Sequence, residues 1–172
     1  LVELGPGNGE KLATLRAHGL PKAATVELHL VDVSGAALAT AARGLTGFES
    51  LRIVAHEATY EAGLRQVAKE VGPSGRTLVL FLGSNIGNFD PDAAVSFLRE
   101  MRAALRPGDG LLLGADLKKP KETLLLAYDD PLGVTAAFNL NLLARLNREL
   151  DANIDLKAFR HEALWNAAES RV

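Results

Sequence analysis

With 172 residues, 48% of them hydrophobic and 23% charged, the chain is long enough for one domain with a sizeable buried core. Its 19 basic and 21 acidic side chains leave a formal charge of −2, which argues against a dedicated binder of the nucleic-acid backbone and makes a small polar ligand the expected partner. The absence of cysteine excludes disulfides, thiolate nucleophiles and cysteine-ligated clusters, and the four scattered histidines show no metal-ligand spacing, so no metal is expected.

Leu1 to Leu4 reads as an apolar strand that runs into Gly5-Pro6-Gly7-Asn8-Gly9, with a helical pattern from Lys11. Further strands are expected at Val26 to Val31, Leu51 to Ala55, Thr77 to Leu82 and Leu111 to Ala115, with helices between them. The clearest helix runs from Pro91 to Leu105, with Asp90 as N-cap and Val95, Leu98, Met101, Ala104 and Leu105 as one apolar stripe. Arg106-Pro107-Gly108-Asp109-Gly110 stops it. This alternation predicts an α/β fold with a mainly parallel sheet, helices on both faces, and ligands beyond the carboxyl ends of the strands. After the fifth strand, helices around Lys119 to Tyr128 and Val134 to Leu150 read as a lid or insertion, Asp151 to Asp155 as a polar turn, and Phe159 to Asn166 as a further strand. No apolar stretch approaches the ~20 residues that span a bilayer, so no membrane partner and a cytoplasmic location are expected. Leu1 already lies in a strand without an initiator methionine, and the chain reads as an excerpt of a longer protein.

Five groups of residues can carry chemistry. Gly5, Gly7 and Gly9 let backbone amides approach a ligand that a Cβ would repel, and Lys11 is available to a carboxylate; the alternative is an ordinary turn with a solvated lysine. An acidic residue ahead of the first glycine, Glu3, and a second at the next strand end, Asp32, favour the ligand. Asp32 can accept both hydroxyl hydrogens of a ribose or cap the next helix, a job for which Ser34 competes. Tyr60 can cover an adenine ring or serve as a core tyrosine, and Thr59 can meet the adenine edge with its hydroxyl or backbone amide. His56 and Glu57 are assigned a surface or capping role. The loop Gly83-Ser84-Asn85-Ile86-Gly87-Asn88 crowds carboxamides and glycines at the expected switch point, where they can orient an amino acid without adding charge. Tyr128 precedes Asp129 and Asp130, which either cap a helix or belong with the tyrosine to a lid; Arg145, Arg148 and Glu149 read as a solvated helix face. The first loop lacks the third glycine of a dinucleotide fingerprint, which argues against a dehydrogenase.

Together, Leu4-Gly5-Pro6-Gly7 with Lys11, Val31-Asp32-Val33-Ser34, Phe81 to Asn88, Tyr128-Asp129-Asp130 with Gly133-Val134-Thr135 and Phe138-Asn139, Arg145 to Leu150, and Phe159 with His161 resemble the histidine-specific S-adenosylmethionine-dependent methyltransferase family over essentially the whole chain. The resemblance implies a Rossmann-like class I methyltransferase core over residues 1–172, with a helical insertion after the fifth strand, that trimethylates the α-amino group of L-histidine in ergothioneine biosynthesis. It implies S-adenosyl-L-methionine as cofactor, held by Gly5, Gly7, Lys11, Asp32, Thr59 and Tyr60, and an amino-acid substrate met by Gly83, Asn88 and Tyr128. A monomer is expected. Thr59-Tyr60 stands where the bacterial pattern has Asp-Phe, and Asn85 where threonine is usual. The residues that recognise the imidazole lie, by the same resemblance, largely in flanking segments. Runner-up readings are N-methylation of another amino acid, such as an indole-bearing one, and a non-catalytic cofactor-binding module.

Overall fold

In the computed structural model, which describes residues 1–18, 26–47, 51–72 and 75–172, five strands form one sheet: β1 (Val2–Leu4), β2 (Val26–Asp32), β3 (Leu51–Glu57), β4 (Leu78–Phe81) and β5 (Gly110–Leu113). Their order is β3-β2-β1-β4-β5 and every pairing is parallel, as strands separated by helical crossovers require. The winding reverses between β1 and β4, so the switch point lies where the glycine loop and the Gly83 loop emerge. The α/β reading of the sequence is correct, with strand ends displaced by at most two residues.

Period-two alternation divides the strands between two cores. Val2, Leu4, Val31, Val79 and Phe81 face Leu64 and Val67 of α3 (Tyr60–Glu70) and Phe97 and Met101 of α4 (Pro91–Ala104). Leu28, Leu30 and Leu80 face Leu12 of α1 (Glu10–His18) and Leu38 and Ala41 of α2 (Gly35–Gly44). Helices therefore cover both faces. Phe97 anchors α4; of the expected stripe, Met101 is buried and Leu98, Ala104 and Leu105 pack against the same core, whereas Val95 is 46% exposed. The Asp109 carboxylate accepts the backbone N–H groups of Thr77 and Arg106, both at 2.8 Å, and fixes the turn between α4 and β5.

The backbone divides into two units, Leu1–Asp116 and Leu117–Val172. The second contains α5 (Lys121–Tyr128), α6 (Val134–Glu149) and a short 3-10 helix at Leu156–Ala158. Asp130 caps α6 by accepting from the N–H groups of Val134 and Thr135, which holds its carboxyl down at about 2. Of the two readings offered for the acid pair, capping is the one Asp130 fulfils. Arg145 and Arg148 pair with Glu149 on an exposed helix face, as expected. Phe159 to Asn166 is not a strand, because among the described residues this unit offers no strand edge to pair with; a single bridge joins Asn166 to Arg171.

Candidate functional site

Three chain segments converge at the carboxyl ends of β1, β2 and β4. After β1, Gly5, Gly7 and Gly9 adopt φ values of +70°, +58° and +82°, conformations from which a side chain is largely barred. A Cβ at Gly5 would meet the Tyr60 hydroxyl at 2.9 Å and Asn85 Nδ2 at 3.3 Å, while one at Gly9 would meet the backbone of Ala41. The loop is thus a glycine loop for reasons of both torsion and space. It delivers the chain into α1, whose first N–H groups face the same end of the sheet.

Lys11 joins this loop to the next. Its Nζ lies 3.5 Å from where a Cβ of Gly83 would stand, so a cation on α1 reaches the backbone at the end of β4. Gly83 and Ser84 both have positive φ, +77° and +61°, and Ser84 is held there by its Oγ, which accepts the Asp116 N–H at 2.9 Å. Asn85–Asn88 then turns as a 3-10 helix. Tyr60, Asn85, Asn88 and Phe89 line a cavity of about 190 Å³. Asn88 and Tyr60, far apart in the chain, thus share one cavity wall.

Asp32 ends β2. One of its oxygens accepts the Ser34 N–H at 2.9 Å, and Ser34 itself caps α2 through the Ala37 N–H. The competition for the cap is therefore won by Ser34, and the carboxylate of Asp32 is oriented by a backbone bond rather than spent on the helix. Glu57 lies beside Asp32 in register and is exposed, near Gly35 in the first turn of α2, which fits the surface reading of the two offered for it.

Thr59 and Tyr60 have structural work as well. The Thr59 hydroxyl caps α3, accepting from the Ala62 N–H at 3.4 Å. The Tyr60 ring packs edge-on to Phe81 and against Phe97, with centroids at 5.4 and 5.9 Å, so its ring is a core aromatic and its hydroxyl is the part that reaches the glycine loop. Burial and the nearby Asp32 carboxylate push that phenol above its ordinary value, so it stays protonated and able to donate.

Glu3 received no role from the sequence beyond its sign. It is fully buried in central β1, and among the described residues neither carboxylate oxygen has a hydrogen-bond partner. Burial pushes its carboxyl up to about 7 despite the opposing pull of Lys11. The signal was its position between Val2 and Leu4 in a strand buried on both faces, where an acid is costly. His56 is the one correction here: it is buried, with its Nε2 2.9 Å from His29 Nδ1 and its Nδ1 3.1 Å from Gln66 Oε1, not on the surface or at a cap.

Tyr128 belongs to the second unit, at the end of α5. Its backbone carbonyl accepts from His161 Nε2 at 2.6 Å, and His161 Nδ1 accepts from Asn139 at 3.1 Å, which ties together three of the motifs noted in the sequence. Its side chain is 52% exposed.

A family model described as "Histidine-specific methyltransferase, SAM-dependent" matches residues 1–172. The chain is 41% identical over its whole length to the histidine N-alpha-methyltransferase of Mycobacterium tuberculosis and 42% identical to that of Mycolicibacterium smegmatis, and spans 53% of each. It is also 32% identical, over 90% of its length, to ergothioneine biosynthesis protein 1 of Schizosaccharomyces pombe, of which it covers 20%. The chain thus spans about half the length of the two mycobacterial relatives. Among the described residues no helix is long and apolar enough to cross a membrane.

Proposed function

We infer that this chain, which belongs to the histidine-specific, S-adenosylmethionine-dependent methyltransferase family, forms the core of an enzyme that methylates the α-amino nitrogen of histidine. The observation that carries the reading is the meeting of Lys11, the glycine loop and the Gly83 to Asn88 loop at the switch point of the sheet. The family's cofactor fits the residues present: three positive-φ glycines clear its path, Lys11 suits its carboxylate, and Asp32 is held with its carboxylate oriented for a ribose diol. When bound, S-adenosylmethionine supplies an electrophilic methyl group on a sulfonium. Tyr60 contributes its hydroxyl at the glycine loop, and Thr59 its backbone rather than its already engaged side chain.

Alignment, rather than acid–base chemistry, is what the chain's residues supply to such a displacement. Gly83 and Asn88 hold the amino acid's polar groups, with the Gly83 backbone facing the amine. Tyr128 is assigned to the substrate by its place in the family motif. Three rounds on one nitrogen, as in ergothioneine formation, are the expected outcome, with histidine selected by residues beyond this chain. The test is to incubate the full-length protein with S-adenosylmethionine and an amino-acid mixture and to identify products by mass spectrometry. Trimethylated histidine is expected. A different methylated amino acid would overturn the substrate, and cofactor binding without any product would overturn the enzyme.

A further inference from the structure

On the sheet face covered by α3, well away from the glycine loop, two histidines meet in a way that hydrogen bonding alone leaves unresolved. His29 of β2 and His56 of β3 are 98% and 94% buried, and their rings stack with centroids 5.1 Å apart. His29 Nε2 lies 3.0 Å from a Glu27 oxygen. A carboxylate can only accept, so the proton is on Nε2 and Nδ1 carries a lone pair. His56 Nδ1 lies 3.1 Å from Gln66 Oε1; where that amide turns its oxygen rather than its nitrogen to the ring, the proton is on Nδ1 and Nε2 carries a lone pair. Those two lone pairs face each other at 2.9 Å.

A third donor stands at the same point. Glu70, the last residue of α3, places a carboxylate oxygen 3.8 Å from His29 Nδ1, and one donor atom from each of His29, His56 and Glu70 falls within 4.8 Å of the others. Tetrahedral zinc, with bonds of about 2.0 to 2.2 Å, sets its ligand atoms roughly 3.4 Å apart. The two rings need to open slightly, and the half-exposed Glu70 to swing inward. The outer partners are those a metal site uses: Glu27 behind one imidazole and Gln66 behind the other fix the tautomers that leave the inner nitrogens free. The carboxylates of Glu27 and Glu70 together balance a dication, and Arg52, 2.6 Å from Glu27, tempers the excess charge before the metal arrives. Glu27, His29 and Glu70 also line a cavity of about 760 Å³ at the amino ends of the strands, which gives an ion a route in.

We propose that His29, His56 and Glu70 form a binding site for a divalent first-row transition ion of the zinc class, which pins the end of α3 to β2 and β3. The site uses two imidazoles and one carboxylate, leaving the fourth position to water. Its role is structural, because it lies on the sheet face and not at the carboxyl-end loops, and it stands independently of the proposed methyl transfer. Metal ions compete with protons for the imidazole nitrogens, so binding weakens as pH falls.

The experiment uses untagged, chelator-stripped full-length protein, titrated with Zn²⁺ by calorimetry and with Co²⁺ by visible absorption. One ion per chain is expected, with a tetrahedral Co²⁺ band and a raised melting temperature. Glu70→Gln, on a side chain too exposed to threaten the fold, is expected to weaken Zn²⁺ binding about tenfold or more, in line with the loss of one ligand, and His56→Gln to abolish the Co²⁺ band. Failure to take up stoichiometric Zn²⁺ would overturn the proposal. So would unchanged affinity in both variants, or imidazole ¹⁵N spectra showing an ordinary His56-to-His29 hydrogen bond that Zn²⁺ leaves untouched.

Discussion

Replacing Glu3 with glutamine isolates the cost of the buried acid. Its carboxyl titrates near 4.5 in an unfolded chain and at about 7 in the fold. The folded state therefore favours the protonated form: that stabilisation is complete below 4.5, fades as pH rises towards 7, and is gone above it. The whole interval is worth about 3 kcal/mol, of which about 2.5 kcal/mol falls between about pH 5 and pH 8.5. Glutamine at position 3 keeps the size and does not titrate, and any penalty for its own unpaired amide is the same at both pH values. Urea unfolding of the full-length protein and the Glu3→Gln variant, without cofactor, gives the difference in stability at each pH. The variant should gain on the parent by about 2.5 kcal/mol on going from the lower pH to the higher. His29, whose pKa is lowered in the fold, acts in the opposite sense, costing stability as pH falls below 6.5, and cancels in the difference. A difference that stays constant with pH would refute the burial of an unpaired, protonated Glu3.

Other perturbations test the site and its scaffold. Asn88→Ala and Tyr128→Phe should each weaken amino-acid binding by about tenfold, the loss of a hydrogen bond to a charged group, and steady-state kinetics leaving affinity and turnover unchanged would remove both from the substrate site. Asp32→Asn keeps the acceptor for the Ser34 N–H but loses the charge, so calorimetry should find S-adenosylmethionine bound some 10- to 100-fold more weakly with little change in melting temperature. Gly63→Ala drives a methyl group into the Val31 side chain across the α3 and β2 contact, and is expected to destabilise by about 1–3 kcal/mol despite the better helix propensity; a higher melting temperature would show that the contact yields. Asp130→Ala removes the acceptor of two α6 amides, and hydrogen exchange at Val134 and Thr135 should accelerate. In the parent, that protection persists above the ordinary carboxylate range and is lost only as pH falls towards 2.

Whatever depends on local order and period could be read from the chain alone. Apolar runs punctuated by glycine and proline imposed the strand and helix succession, and strands alternating with helices favour parallel pairing, so the sheet and its two covered faces followed. Gly5, Gly7, Lys11, Asp32, Gly83 and Asn88 could be picked out as candidates because ligands in such sheets gather at the carboxyl ends of strands, and each of these residues follows or ends one. Phe159 to Asn166 misled because alternation marks a strand only where a second edge exists to pair with it, and an edge is not a local property. The same limit hid Phe97, whose burial depends on how α4 lies over Phe81, and the packing of the Tyr60 ring on Phe81 with its hydroxyl at the glycine loop. Only the tertiary structure brought Lys11 to Gly83, stranded the carboxylate of Glu3, and set His29 against His56 from strands 27 residues apart. Those juxtapositions arise from register between strands, which depends on the packing of whole faces rather than on any residue's neighbours in the chain.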